Sequence, residues 1–162
     1  MKLDKWTRSR YSPTLPLGDN SSQITGSKRH IALSRKAATE GTVLLKNEEN
    51  TLPLKKGTKL AIFGIAQFDY VRGGGGSGEV YCEYTKNIYE ALREKDDRIK
   101  LFHKLSFYYQ NAVLAQYEEG KLCGSLSEVE LPDDLLKEAS DFTDTALITL
   151  CRYSTEGEDH LS

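Results

Sequence analysis

The chain has 162 residues, 38% of them hydrophobic, and a net charge of −2 from 22 lysines and arginines against 24 aspartates and glutamates. This length suits one globular domain, and the hydrophobic fraction argues against wholesale disorder. The balanced charge argues against a nucleic-acid partner, since nucleic-acid binders usually present a basic face. No apolar stretch approaches the roughly 20 residues of a membrane-spanning helix, and residues 1–6 lack the apolar core of a secretory signal.

The cysteines and histidines give no sign of a metal site. The chain has three cysteines, an odd number, at Cys82, Cys123 and Cys151, and they show no Cys-x-x-Cys spacing. We therefore expect neither a metal cluster nor a disulfide framework. The three histidines stand apart from one another and from the cysteines, which argues against zinc. Because disulfides concentrate in oxidising compartments, reduced thiols predict a cytoplasmic protein.

The N-terminal part of the chain predicts an arm followed by a helix. Residues 1–26 contain two of the four prolines and the polar run 18–22, a composition typical of an arm that lies over a surface. Residues 27–162 then form the expected domain. Its first element is a helix over Lys28–Gly41, which is rich in helix formers and has Ser27 as the expected N-cap.

Strand and helix patterns alternate through the rest of the chain. The predicted elements are a buried strand at 59–64, a helix at 84–95, a short strand at 99–102, helices at 105–119 and 131–140, and a second buried strand at 145–151. This alternation predicts an α/β domain with a mostly parallel sheet sandwiched by helices. Ligands of such sheets gather at the carboxyl ends of the strands. The glycine-rich residues 73–78 and the segment after Cys151 both occupy such positions.

Residues 73–78 read Gly-Gly-Gly-Gly-Ser-Gly and satisfy the dinucleotide fingerprint literally. A run of four glycines matches nearly any glycine pattern, so this signal is weak. A P-loop is excluded because Glu79 stands where the motif needs a lysine to hold the phosphates. Glycines let backbone approach another domain or a compact polar ligand, with the Ser77 hydroxyl at the rim. The alternative is a flexible surface loop.

The segment after the last predicted strand concentrates charge. Arg152, Glu156, Glu158 and Asp159 lie in one short loop bent by glycine. General acid–base catalysis needs a carboxyl group kept protonated near neutral pH by apolar or like-charged surroundings. The negative charges of Glu158 and Asp159 would raise the pKa of Glu156, whereas the positive charge of Arg152 would lower it. Residue chemistry by itself leaves a solvated acidic loop as the alternative.

Several blocks of sequence, spread over residues 28–160, form a recognisable combination. They are 37–47 (AATEGTVLLKN), 52–54 (LPL), 60–64 (LAIFG), 75–78 (GGSG), 135–139 (LLKEA), 144–150 (DTALITL) and 152–159 (RYSTEGED). Together these blocks resemble the non-barrel α/β sandwich domain of family 3 glycoside hydrolases. The last block is similar to that family's Arg-x-Ser-Gly-Glu-Gly-x-Asp-Arg loop.

The resemblance implies a retaining β-glycosidase, most often a β-glucosidase, that hydrolyses terminal β-linked sugars without a cofactor. Its substrate would be a β-glucoside or related oligosaccharide. In the family an aspartate on a (β/α)8 barrel is the nucleophile, and the glutamate that matches Glu156 is the acid/base in many members. Retaining chemistry holds two carboxyl groups about 5–5.5 Å apart across the glycosidic bond. Glu156 would therefore be one half of a catalytic pair divided between two domains.

The resemblance assigns supporting roles to other residues. Arg152 and Asp159 would be loop and pKa partners of the glutamate, and Gly76 with Ser77 would shape the sugar subsite. Two departures stand in the loop. A histidine replaces the family's arginine at residue 160, which makes the charge there depend on pH. A threonine replaces the usual glycine at residue 155 and stiffens the loop.

The domain organisation implied by the resemblance is unusual. The chain stops two residues after residue 160, so it would hold only the first part of the sandwich. The barrel usually precedes the sandwich, whereas a short arm precedes it here, which suggests the reversed order found in some members. We therefore expect a fragment that is inactive alone and needs a barrel in cis or in trans.

Two other hypotheses remain open. In the first, the chain is a non-catalytic α/β module that binds a sugar or nucleotide through the glycine loop at 73–78. In the second, it is an interaction partner that completes a separately encoded barrel. A reading frame that continues into a barrel would favour the enzyme, glucose binding by the isolated chain would favour the module, and activity restored on mixing two polypeptides would favour the partner.

Overall fold

The computed structural model describes residues 28–71, 85–95 and 97–152. The chain divides into two compact units, residues 1–50 and residues 51–162. The predicted N-terminal arm lies outside the described residues, as does the proposed N-cap of the first helix. Within the described ranges, no helix combines the length and the apolar character needed to cross a bilayer.

The first unit contains the helix α1, Lys28–Gly41, as predicted. None of its residues is buried, and an exposed ion pair joins Lys36 to Glu40 one turn later, with 3.7 Å between nitrogen and oxygen. Such a pair adds only about 0.2–0.5 kcal/mol to a helix. A 3-10 turn, Glu48–Asn50, ends the unit.

The second unit is built on a three-stranded parallel sheet, which confirms the predicted fold class. Its strands are β1, Thr58–Phe63, β2, Ile99–Leu101, and β3, Ala146–Ile148, in the order β2-β1-β3. The register pairs the first half of β1 with β2 and its second half with β3. The central strand β1 therefore carries the sheet, and two of the three carboxyl ends, those of β1 and β3, lie side by side.

Three α-helices lie in the described part of this unit. They are α2, Ile88–Arg93, α3, His103–Glu118, and α4, Asp133–Phe142. The helix α2 is shorter than the predicted 84–95 because Asn87 caps it: the Asn87 side chain accepts from the Glu90 N–H at 2.8 Å, and the Glu90 carboxylate accepts from the Asn87 N–H at 3.2 Å. This reciprocal capping box fixes the first helical residue at Ile88.

The helices cover both faces of β1, as the uninterrupted apolar pattern of that strand predicted. Leu60 and Ile62 pack with Tyr89 of α2. Ala61, which points to the opposite face, packs with residues of α3 and α4, namely Leu105, Tyr109, Leu135 and Ala139. Because side chains alternate along a strand, adjacent residues of β1 stabilise two separate cores.

The prediction of a second buried strand at 145–151 was wrong in burial and in length. The strand β3 covers only three residues, and Ile148 is 69% exposed. Leu150 beyond it is 85% exposed. Within the described chain β3 has β1 on one side only, so its outer residues lack the cover that an apolar run normally indicates. Thr149 is the buried exception.

Candidate functional site

The carboxyl end of β1 is built around a glycine that no other residue could replace without strain. Gly64 has a φ of +96°, in the left-handed region that side chains disfavour. A Cβ placed on it would lie 2.3 Å from the carbonyl oxygen of Thr149 and 2.7 Å from the Thr149 hydroxyl. The absence of a side chain thus lets the chain after β3 lie directly against the chain after β1.

Thr149 ties the ends of the two strands together. Its N–H donates to the carbonyl of Phe63 at 2.8 Å. Its Oγ1 lies 2.8 Å from the same carbonyl oxygen and 3.1 Å from that of Gly64, so its single proton is shared between two acceptors. The residue is only 5% exposed. We call Phe63, Gly64 and Thr149 the strand-end junction.

The chain leaving the strand-end junction turns at once through the 3-10 turn Ile65–Gln67. Gln67 is fully buried, and its Nε2 donates to the carbonyls of Ile62 at 3.1 Å and Gly64 at 3.0 Å. The N–H of Ile65 donates to the Glu128 carboxylate at 3.2 Å. Side chains from the turn and from a distant loop therefore fix the path of the backbone toward residues 73–78.

A buried carboxylate lies two residues further on. Asp69 is 3% exposed; the Tyr117 hydroxyl donates to its Oδ1 at 2.6 Å, and the Gly124 N–H donates to its Oδ2 at 3.1 Å. No ion pair reaches Asp69 from any other described residue. Hydrogen bonds to a charged acceptor are about twice as strong as neutral ones, so these donors, together with the Cys123 thiol, hold the Asp69 side chain in place of a cation.

Two acidic groups beside Asp69 are kept in their neutral forms. Burial first, and then the hydrogen bond and charge of Asp69, raise the pKa of Tyr117 well above its ordinary value. Desolvation of the thiol, followed by its own hydrogen bond to Asp69 and the charge of that carboxylate, raises the pKa of Cys123. Because a thiol reacts as its thiolate, the raised pKa does not activate Cys123, although the residue is exposed. The cluster is suited to fixing backbone and unsuited to nucleophilic chemistry.

The amino edge of the sheet offers a contrasting surface. An open depression there is lined mainly by polar residues, among them Thr58, Asp141, Asp144 and Thr145. None of these four is buried. Since ligands of parallel sheets gather at the carboxyl ends of strands, this depression is not the candidate site. Nor do the described ranges hold any group of three or more His, Cys, Asp or Glu side chains that could bind a metal ion.

The predicted site residues fall mostly outside the described ranges. These are Gly76, Ser77, Glu156 and Asp159. Arg152 is described: it is exposed and follows Thr149 by three residues, at the carboxyl edge of the sheet. The structure thus places Thr149, three residues before Arg152, beside the end of β1, while the loop residues themselves stay predictions.

Sequence reasoning missed the groups that build this edge. Gln67 and Asp69, two polar residues just after a buried strand, were a usable signal, and so was Thr149 inside an apolar run. The partner of Asp69, Tyr117, lies in the helix predicted at 105–119. The hydroxyl of Tyr117 bonds a residue 48 positions away, a contact that helical spacing does not reveal.

Comparison with known proteins agrees with this architecture. Residues 42–162 match the pattern of the glycosyl hydrolase family 3 C-terminal domain. The chain is 47% identical over 157 residues to beta-glucosidase A of Butyrivibrio fibrisolvens, an alignment that covers 97% of this chain and 19% of that protein. It is 32% identical over 122 residues to thermostable beta-glucosidase B of Acetivibrio thermocellus, with 70% of this chain and 16% of that protein covered.

Solved structures show the same relationship in three dimensions. Beta-glucosidase 3B of Thermotoga neapolitana, in complex with alpha-D-glucose, superposes with a TM-score of 0.75 at 30% identity, over 86% of this chain and 20% of that one. A beta-glucosidase of Paenibacillus barengoltzii gives 0.70 at 32% identity, over 80% of this chain and 15% of that one. The chain thus spans at most about a fifth of the length of these relatives. It belongs to glycoside hydrolase family 3, whose C-terminal domain it matches over most of its length.

Proposed function

We propose that this chain is part of a retaining β-glycosidase, of the β-glucosidase type, and supplies the acid/base carboxylate Glu156. The observation that carries the proposal is the strand-end junction, which delivers the chain after Thr149 to the carboxyl edge of a parallel sheet, where ligands gather. Membership of family 3 supports it, and so do relatives that are named beta-glucosidases. The substrate is a β-glucoside or related oligosaccharide.

The proposed reaction divides its two carboxyl groups between domains. A nucleophilic carboxylate on a (β/α)8 barrel attacks the anomeric carbon, while Glu156 protonates the departing glycosidic oxygen. Glu156 then removes a proton from water, which attacks the same carbon and releases the sugar. The barrel is supplied by the same polypeptide or by a separate one, so the sandwich portion is inactive without it.

The remaining predicted residues have supporting roles in this proposal. Arg152 and Asp159 set the charge around Glu156, with Arg152 favouring its ionised form and Asp159 its protonated form. Gly76 and Ser77 approach the sugar from the neighbouring loop, whose base is fixed by Asp69. We further propose that the sandwich domain begins at residue 27, after an arm over 1–26, and that the protein acts in the cytoplasm in carbohydrate metabolism.

The test is Glu156→Gln in the intact enzyme. We expect kcat/KM for methyl β-glucoside to fall by about 10²–10⁴-fold, the usual contribution of general acid catalysis. The loss should be far smaller for 2,4-dinitrophenyl β-glucoside, because that leaving group needs little protonation. The matched control is Glu158→Gln, which should keep the wild-type ratio between the two substrates. Equal losses on both substrates for Glu156→Gln, or none, would contradict the proposal.

A further inference from the structure

Two threonine hydroxyls bracket β3, and each bonds a backbone carbonyl of β1. Thr143 lies before the strand, where its Oγ1 donates to the Lys59 carbonyl at 2.8 Å. Thr149 lies after it, where its Oγ1 lies 2.8 Å from the Phe63 carbonyl oxygen. The two bonds are chemically alike and sit at opposite edges of the sheet. They differ in their place along the sequence. The chain enters β3 after Thr143, whereas it leaves β3 at Thr149 and continues to Glu156.

We propose that Thr149 is a positioning residue for the acid/base carboxylate: its hydroxyl fixes the direction in which the chain leaves β3 toward Glu156. This inference rests on the function proposed above and adds a determinant that lies seven residues from the carboxylate.

The first support is that the hydroxyl acts where the strand pairing ends. The ladder between β1 and β3 runs from Ala61 opposite Ala146 to Phe63 opposite Ile148. The N–H of Thr149 adds one further bond to Phe63, and the side-chain hydroxyl then reaches past the ladder toward the Gly64 carbonyl. The side chain therefore extends the connection between the two strands beyond the last backbone bond.

The second support is that the hydroxyl is not needed to satisfy the buried backbone. The Phe63 carbonyl keeps the Thr149 N–H as a donor, and the Gly64 carbonyl keeps the Gln67 side-chain amide. Replacing the hydroxyl by a methyl group of similar size leaves both carbonyls bonded. The variant Thr149→Val should therefore fold, while the constraint on the direction of the chain is lost.

The third support is that, within residues 28–71, 85–95 and 97–152, the hydrogen bonds of Thr149 are the last ones along the chain. Leu150 and Arg152 are exposed, Cys151 is half-buried, and none of these three donates or accepts a hydrogen bond with another described residue. Thr149 is thus the last bonded point before the acidic loop within the described chain. A 1 Å misplacement of a catalytic group can cost about 10²-fold in rate, so a small change of direction here has a measurable effect.

The experiment compares variants of the intact enzyme by kcat/KM on methyl β-glucoside and on 2,4-dinitrophenyl β-glucoside. We expect Thr149→Val to lose about tenfold more activity on the methyl than on the dinitrophenyl substrate, because only the methyl substrate depends on the placed acid. Thr149→Ser keeps the hydroxyl and should restore the wild-type ratio. The control Thr143→Val removes the corresponding bond to β1 at the other edge, together with the acceptor of the Thr145 N–H at 3.0 Å, and should leave the ratio unchanged.

Each outcome decides between explanations. Equal losses on both substrates for Thr149→Val, or a ratio that serine does not restore, would overturn the positioning role. A changed ratio for Thr143→Val would also overturn it, since any loosening of β3 would then suffice. Should Thr149→Val fail to fold, Thr149→Ala tests the same hydroxyl. If Glu156→Gln itself leaves the ratio unchanged, the proposed function fails, whatever Thr149 does.

Discussion

The two edges of the sheet are built differently. At the carboxyl edge the polar groups are buried, and Gln67, Asp69 and Thr149 are each at most 5% exposed. At the amino edge Gly57 and Asp144 are exposed and Thr143 is half-buried. Burying a polar group costs free energy unless it is well bonded. The hydrogen bonds of Gln67, Asp69 and Thr149 therefore maintain fixed geometry at the edge where the sugar site is proposed.

The two edges also use glycine differently. Gly64 at the carboxyl edge combines a positive φ with direct contact to Thr149, whereas Gly57 at the amino edge has a φ of +85° and open space around it. Both need glycine for the backbone conformation, but only Gly64 needs it for packing. Paired substitutions at the two edges test whether this difference is real.

The largest effect is expected for Gly64→Ala. A methyl group there meets the Thr149 backbone, which cannot move aside, so strain and overpacking together should lower the free energy of unfolding by about 3–5 kcal/mol. Gly57→Ala is the matched control, since it imposes the same backbone strain in open space and should cost about 1–2 kcal/mol. Urea unfolding measures both. Equal costs would show that the strand-end junction is not specially packed.

A smaller effect is expected for Asp69→Asn. The neutral amide is a weaker acceptor for the Tyr117 hydroxyl and the Gly124 N–H, and hydrogen bonds to charged groups contribute about 1.5–3 kcal/mol each, so a loss of about 2–3 kcal/mol should result. Asp144→Asn at the amino edge alters an exposed carboxylate and should change stability by about 0.5 kcal/mol or less. A cost at Asp144 as large as at Asp69 would remove the contrast between the edges.

The smallest effect is expected from pH. The pKa values of Tyr117 and Cys123 are raised in the folded protein, so their neutral forms are favoured there. The stability that these groups contribute is complete below their ordinary pKa values, 10.0 for the tyrosine and 9.0 for the cysteine, and falls as pH rises above them. Melting temperature should therefore decline above pH 9, and less steeply in Tyr117→Phe than in the wild type. Parallel declines would show that Tyr117 ionises freely.

Sequence patterns predicted the elements of the sheet and its helices better than they predicted the site. The apolar run at 59–64 and the helix over Lys28–Gly41 were recognisable because their signals are local. The contact of Thr149 with Phe63 joins residues 86 positions apart, and no local pattern encodes such a closure. The exposure of β3 likewise depends on which neighbours the strand has across the sheet rather than on its own residues.

The resemblance to family 3 identified the candidate catalytic residue, which local sequence patterns could not. It selected Glu156 from among many acidic residues, and the match to the family 3 domain confirms the family. The roles of that glutamate and of Arg152, Asp159, Gly76 and Ser77 remain predictions. The structure instead added residues that the resemblance did not include, chiefly Asp69 and Thr149, which hold the backbone at the bases of both loops.

The exposed side chains at β3 have a practical consequence for work on this polypeptide. Among the described residues, one edge of β3 has no neighbouring strand, and the side chains of Ile148 and Leu150 near it are exposed. Another extended chain can add to such an edge. Concentrated solutions of the 162-residue polypeptide are therefore expected to self-associate through this strand. A lysine in place of Ile148 would counter such pairing, because natural sheets use charged side chains to protect their edges from aggregation.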